Sequence, residues 1–231
     1  MPHGIMPFGS LLGLGDVADE QTGLGLWPIG GVVATALLCT PLLRRAVTWL
    51  GVREAGTPNI VQMFAEGFQA VGAVTGGISE MLLSWRTERI FSPRRKFAKI
   101  ALEGGHDIVI VFVYGVSRTF KNVYGNPGLT KKLRFPVMLG HGKWVNLPYR
   151  EKQEMVVGRP IKVKKIENPT DEDITALRKR FEIAIHGLYY RHRPKWETRP
   201  LEIVGAASSA RELQALDDAA AARDRQRGRF R

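Results

Sequence analysis

The sequence predicts an α/β domain with a mostly parallel central sheet flanked by helices. Three segments predict it. Asp107 to Tyr114 is a β-branched apolar run with no polar alternation inside it, the pattern of a strand buried on both faces, as in a parallel sheet. Residues 171–192 carry Ile174, Leu177, Phe181, Ile185 and Leu188 at helical spacing, a stripe that needs a core to cover it. Residues 94–104 set Phe97, Ile100 and Ala101 on one face, with Arg94, Arg95, Lys96 and Lys99 around them, which reads as a basic amphipathic helix. Helices alternating with short apolar strands build layered α/β folds.

The elements follow in chain order. Residues 24–43 form a 20-residue stretch without a charge, with Arg44 and Arg45 behind it. That length meets the rule for a transmembrane helix. Pro28, Gly30, Gly31 and Pro41 shorten any good helix in it to residues 32–40, so a span and a buried or membrane-embedded segment both stay open. Residues 58–69 repeat Ile60, Phe64 and Phe68 every four positions and predict a helix. Ala70 to Thr75 predicts a short buried strand that runs into a loop at Gly76-Gly77. Met155 to Val157 and Ile161 to Val163 predict two further strands around Gly158 and Pro160. Pro169 precedes the long helix, Thr170 and Asp173 give it a capping-box start, and Pro194 stops it. The domain is expected to occupy residues 1–204. Residues 205–231 turn rich in Ala, Arg and Asp behind a second capping box, Ser209 to Glu212, and predict a charged, partly helical or disordered tail, either solvated or docked on anionic lipid.

With 231 residues, 44% of them hydrophobic, the chain can bury one sizeable core. Its formal net charge is +12, and the distribution is uneven. Asp16, Asp19 and Glu20 precede the first basic residue, Arg44, so residues 1–43 carry −3 and the remainder +15. A basic excess serves nucleic acid, an anionic membrane surface or a polyanionic small molecule such as coenzyme A. The chain has no nucleic-acid reading motif and no interleaved aromatics, which argues against nucleic acid. The lone Cys39 forbids an internal disulfide and reads as a core thiol of a reducing compartment. One Cys and five His residues give no zinc-ligand spacing, so no metal is expected. Residues 1–15 lack a basic segment, so no secretory signal is expected.

Four segments then stand in a telling order. They are Pro2-His3-Gly4-Ile5; Gly76-Gly77-Ile78-Ser79-Glu80; Arg94-Arg95-Lys96-Phe97 with Ala101-Leu102, Gly105, Asp107 and a strand ending in Tyr114-Gly115; and Val156 to Ile161 with Pro169-Thr170 and the helix to Arg193. Together they resemble the type-2 diacylglycerol acyltransferase family, which includes monoacylglycerol and wax-alcohol acyltransferases. The resemblance covers residues 1–204. It implies an acyl-CoA-dependent O-acyltransferase of neutral-lipid synthesis, forming triacylglycerol from diacylglycerol, with a monoacylglycerol or wax alcohol as the alternative acceptor. It implies acyl-CoA as co-substrate with no other cofactor, and a membrane lipid surface at the endoplasmic reticulum or lipid droplet. It leaves room for a homo-oligomer. Met1 stands where the family's first His is usual, and the family's upstream hydrophobic hairpin is absent, which implies a chain truncated at the N-terminus and missing its first strand. Lys96, Ile110 and Val116 replace the usual Gly, Pro and Glu, and Thr75 replaces the Pro before Gly-Gly. These departures leave a catalytically degenerate lipid-binding member as the other reading.

The chemistry can be read from the residues themselves. A glyceride hydroxyl is a poor nucleophile, so its attack on a thioester needs a base, and His has the suitable pKa. His3 is the candidate, with Gly4 giving a substrate room to approach. Backbone N–H groups at Gly76 and Gly77 are candidates for the oxyanion, and Glu80 for orienting His3 or lining the acceptor site. Arg94, Arg95, Lys96 and Lys99 are the natural contacts for coenzyme A phosphates, or else a solvated or lipid-facing basic face. His106, His141, His186 and His192 have no partner pattern and read as structural or surface residues. Trp27, Trp49 and Trp85 fit interfacial anchoring or core packing.

Overall fold

The computed structural model of the chain describes residues 29–33, 52–74, 88–125, 138–143 and 148–206. Strand β1 (Ile29–Val33) is the centre of a parallel three-stranded sheet, between β2 (Val52–Glu54) and β3 (Ala70–Gly72). Gly31 pairs with Val52 on one side, and Ile29 with Ala70 on the other. Between β2 and β3 lies helix α1 (Thr57–Ala65), with Pro58 in its first turn, where its missing N–H costs nothing. The helix stops short of Phe68 because Gly67 turns the chain at φ 93°, a conformation open to glycine.

These elements correct two expectations. Val32 and Val33 are extended, not the start of a helix over 32–40; a β-branched pair next to two glycines has little helical preference and suits a sheet centre. Gly30 is buried, and a Cβ there would collide with the Met63 methyl and crowd the Phe68 ring, so this glycine lets α1 sit directly on β1. Residues 34–43, Cys39 and Trp27, Trp49 and Trp85 lie outside the described residues. Strand β3 ends at Gly72 and is half-buried, where Ala70 to Thr75 predicts a buried strand. Its short side chains lie on a small sheet that, among the described residues, α1 covers.

Strand β4 (Glu88–Phe91) pairs in parallel with the last strand, β9 (Leu201–Val204), Glu88 opposite Leu201. Helix α2 (Arg95–Gly104) follows and closes at Gly105, φ 67°. Strand β5 (Val111–Tyr114) pairs with β8 (Glu154–Val157), and this ladder is antiparallel, Val111 opposite Val157. The expectation of a parallel strand over Asp107 to Tyr114 is thus corrected in direction and in length. Its burial holds, since Phe112, Val113 and Tyr114 are all buried. An apolar run records burial on both faces, and the direction of the neighbouring strand leaves no mark in it. Ile161 to Val163 forms no strand; Ile161 makes a single bridge to Ile108, because the chain bends away at once toward Asp107, whose Oδ1 accepts the Val163 N–H at 3.0 Å. Strands β6 (Lys121–Gly125) and β7 (Met138–His141) make a second antiparallel pair.

Helix α3 (Asp171–His192) is the one the sequence predicts, cap included. The Asp173 N–H donates to Thr170 Oγ1 at 3.2 Å, and the Thr170 N–H to Asp173 Oδ2 at 2.9 Å. Three acidic residues in its first turn and Arg191 and His192 in its last complement the helix dipole. Ile174, Leu177, Phe181, Ile185 and Tyr189 are buried against Ala98, Ala101, Leu102, Phe112 and Tyr114. Each large apolar side chain in that core contributes about 1.5–3 kcal/mol. The described residues thus form a mixed α/β fold with parallel pairing in β2-β1-β3 and β4-β9 and antiparallel pairing in the other two ladders. No helix among them is long and apolar enough to cross a membrane.

Candidate functional site

His3, Gly4, Gly76, Gly77 and Glu80 lie outside the described residues. The basic cluster lies within them, at the start of α2. Arg94 is the N-cap with extended backbone, φ −64° and ψ 148°. Arg95 reaches across to α3 and pairs with Asp171. Lys99 faces Glu103 one turn on, at 3.6 Å. Arg94 and Lys96 are exposed and make no ion pair among the described residues. The cluster therefore divides: Arg95 and Lys99 have carboxylate partners, and Arg94 and Lys96 point their charge outward. No acidic residue occurs in the first turn of α2. Cations beside the positive end of a helix oppose its dipole, and an anion bound there would relieve the conflict. Arg178 of α3 fixes this helix start. Its Nε donates to the Pro93 carbonyl at 2.8 Å and its Nη2 to Ser92 Oγ at 3.0 Å. Ser92 Oγ in turn donates to the buried Glu182 Oε1 at 2.5 Å.

A second group of charges is one that sequence reading missed. Glu88 and Glu197 are 1% and 2% exposed, and both face Arg199. Arg199 Nη2 donates to Glu88 Oε2 and to Glu197 Oε2, each at 2.7 Å. Its Nε and backbone N–H both donate to Glu197 Oε1, at 2.9 and 3.0 Å. Arg118 adds a contact to Glu197 Oε1 at 2.9 Å. Ser117 Oγ donates to Glu88 Oε2 at 2.7 Å. Around them, Tyr114 donates to the Tyr189 carbonyl and Tyr189 to the Arg199 carbonyl, both at 2.7 Å. Two carboxylates and two guanidiniums thus join the 3-10 turn Val116–Arg118, the head of β4 and the loop before β9. No local pattern announces this group, because Glu88, Arg118 and Glu197 come from three distant segments. Pro194 and Pro200, which bracket Glu197 and Arg199, are the only hint of a fixed loop.

Glu197 is held below the usual carboxylate range. Burial would raise it, and the hydrogen bonds and charge of Arg199, with Arg118, override that. Glu88 is pushed up from 4.5 to about 7 by burial, which Arg199 and Ser117 only partly offset and to which the Glu197 charge adds. The folded chain therefore keeps a proton between pH 4.5 and about 7 that an unfolded chain has released. Stability from this group is full below the lower value, falls as pH rises through the window and is gone above it, a loss on the order of 3 kcal/mol. Glu88→Gln is expected to remove that slope. Denaturant midpoints should show the variant gaining on the unsubstituted chain between pH 5 and pH 8, and a constant difference would show that Glu88 does not titrate in this window.

The histidines within the described residues are structural or at the surface. His106 stacks on Phe64 with ring centroids 3.8 Å apart, joining the end of α2 to α1, and burial lowers its pKa. His186 is buried on α3 against Tyr190. His192 is exposed. The His141 side chain lies outside the described residues.

Among known families, the model for diacylglycerol acyltransferase matches residues 1–204. The chain belongs to the diacylglycerol acyltransferase family. It is similar to diacylglycerol O-acyltransferase 2 of Homo sapiens, 27% identical over 227 residues, a match covering 87% of this chain and 58% of that protein. It is also similar to diacylglycerol O-acyltransferase 1 of Saccharomyces cerevisiae, 31% identical over 229 residues, covering 88% and 54%. Diacylglycerol O-acyltransferase 2-like protein 6 of Bos taurus is 27% identical over 234 residues, covering 88% and 68%. The chain thus spans 58% of the length of the human relative. No solved structure matches it.

Proposed function

We propose that this chain is an acyl-CoA-dependent O-acyltransferase of the diacylglycerol type, forming triacylglycerol. The observation that carries the reading is the family match over residues 1–204, which spans all four motif segments. In the proposed reaction the diacylglycerol hydroxyl attacks the thioester carbonyl while His3 takes its proton. N–H groups of Gly76 and Gly77 stabilise the oxyanion, and Glu80 orients the base or the acceptor. Collapse expels coenzyme A as thiolate, which recovers the proton. No cofactor beyond acyl-CoA takes part. The apolar substrates place the work at a membrane lipid surface, of the endoplasmic reticulum or of lipid droplets.

Coenzyme A phosphates suit the start of α2. Arg94 and Lys96 present charge at a helix N-terminus without an ion-pair partner among the described residues, a favourable place for an anion, whereas Arg95 is engaged with Asp171. Arg94→Ala with Lys96→Ala should raise the KM for acyl-CoA, since each charge-assisted phosphate contact is worth about 1.5–3 kcal/mol. The KM for the acceptor should barely change. Arg95→Ala alone should act less on KM than on the packing of α2 against α3. An acyl-CoA KM that does not move in the double variant would return the cluster to a solvated face.

The reading itself is tested by supplying labelled acyl-CoA with diacylglycerol, monoacylglycerol or a long-chain alcohol to the folded chain in lipid. Triacylglycerol as the main product supports it. Preference for another acceptor would shift the assignment within the family. No transfer to any of the three would leave the lipid-binding reading.

A further inference from the structure

Glu88 has an unusual hydrogen-bond balance. Its Oε2 accepts from Ser117 Oγ and Arg199 Nη2, while Oε1 is buried and accepts from nothing among the described residues. A buried ionised oxygen left without a donor is costly. The groups that face Glu88 explain why none comes. Arg199, from the loop before β9, spends three of its four donor contacts within the group on Glu197. Arg118, from the 3-10 turn, is also on Glu197. The Tyr114 hydroxyl of β5 and the Tyr189 hydroxyl of α3 are committed to backbone carbonyls. Glu197 is thus the fully satisfied carboxylate, and Glu88 the one with an oxygen open to a proton, which would weaken the contacts its Oε2 accepts.

What Glu88 holds is the turn after β5. Gly115 begins it at φ 82°, and a Cβ there would collide with the Lys152 carbonyl, so this backbone is packed directly on backbone. Thr119 Oγ1 closes the turn on the Val116 carbonyl at 2.7 Å. The turn ends the strand that carries the Tyr114-Gly115 motif. Glu88 itself starts β4, only eight residues after Glu80. One carboxylate therefore ties together the chain just after one motif-bearing segment and just after another.

We propose that Glu88 is a proton-binding positioning residue: ionised, it locks Ser117 and the Gly115 to Arg118 turn to Arg199, and on protonation it loosens that turn and slows acyl transfer. The proposal rests on the acyltransferase reading above. With Glu88 ionised, the group of Glu88, Glu197, Arg118 and Arg199 is neutral and both contacts to Oε2 are charge-assisted. With Glu88 protonated, the group carries one net positive charge and Oε2 is an ordinary carbonyl acceptor, the weaker of the two.

The test follows kcat and KM of the full chain in lipid across about pH 5 to 9, with infrared difference spectra recording the protonated carboxyl band. In the unsubstituted chain kcat should rise through neutral pH as that band disappears. Glu88→Gln should lose the band and the part of the rise that follows it, leaving the rise of the general base His3 on a lower plateau, with KM for acyl-CoA unchanged. Glu88→Asp should restore a rise, shifted along the pH axis. Ser117→Ala should keep the band and lower kcat, because it cuts the tie and leaves the proton site. A Glu88→Gln variant whose kcat profile and plateau match those of the unsubstituted chain would overturn the proposal, as would a Glu88 that stays ionised at every pH. If no form transfers acyl groups, the acyltransferase reading fails, and the infrared titration still decides whether Glu88 binds a proton.

Discussion

His3→Ala is expected to lower acyl transfer by about 10²–10⁴-fold with the fold intact, the range for loss of a general base. His3 is the one histidine that is itself a named residue of a motif carrying the family resemblance. The others within the described residues are occupied elsewhere: His106 stacks on Phe64, His186 is buried against Tyr190, and His192 lies on the exposed end of α3. The measurement is triacylglycerol formed per unit time from labelled acyl-CoA, for this chain and for a form extended upstream with His ahead of Pro2. Circular dichroism of each variant separates lost chemistry from lost fold. A folded, active protein that keeps its rate after His3→Ala would remove His3 from the mechanism and leave the proton to another group.

Arg199→Met is expected to destabilise the chain by about 3–5 kcal/mol, because removing one side of a buried ion pair leaves charge without compensation. Arg199 is 14% exposed and holds two carboxylates that are 1% and 0% exposed at their side chains. Met keeps much of the apolar stem and loses all side-chain donors. Glu197 would keep Arg118 and the backbone N–H of residue 199, while Glu88 would keep, among the described residues, Ser117 alone. Adding Glu88→Gln should recover part of the loss by removing one of the two stranded charges. With typical domain stability of about 5–15 kcal/mol, the single variant should shift the denaturation midpoint severely. A change below about 1 kcal/mol would mean that water reaches these charges as it does a surface pair.

Helix α3 is legible to the residue in the amino-acid sequence, because its start is signalled locally. Thr170 and Asp173 can cap only each other's backbone, and the stripe from Ile174 to Ile185 has one period. Helix α2 and its basic first turn are legible from amphipathic spacing without a capping signal, and the family from the order of its motifs. The strands were legible as apolar runs but not as partners. Nothing in Asp107 to Tyr114 says that its neighbour runs antiparallel, since the neighbour is Glu154 to Val157, some forty residues away. The uncharged stretch 24–43 reads by length alone as a membrane or buried helix, and only pairing with Val52 to Glu54 and Ala70 to Gly72 makes Ile29–Val33 the centre of a sheet. The tertiary structure alone separated Arg95 from Arg94 and Lys96, by bringing Asp171 to it across 76 residues. It alone gathered Glu88, Arg118, Glu197 and Arg199. Burial and charge pairing of that kind are properties of where distant segments meet, and a titratable group carries no mark in the sequence of the dielectric it will occupy.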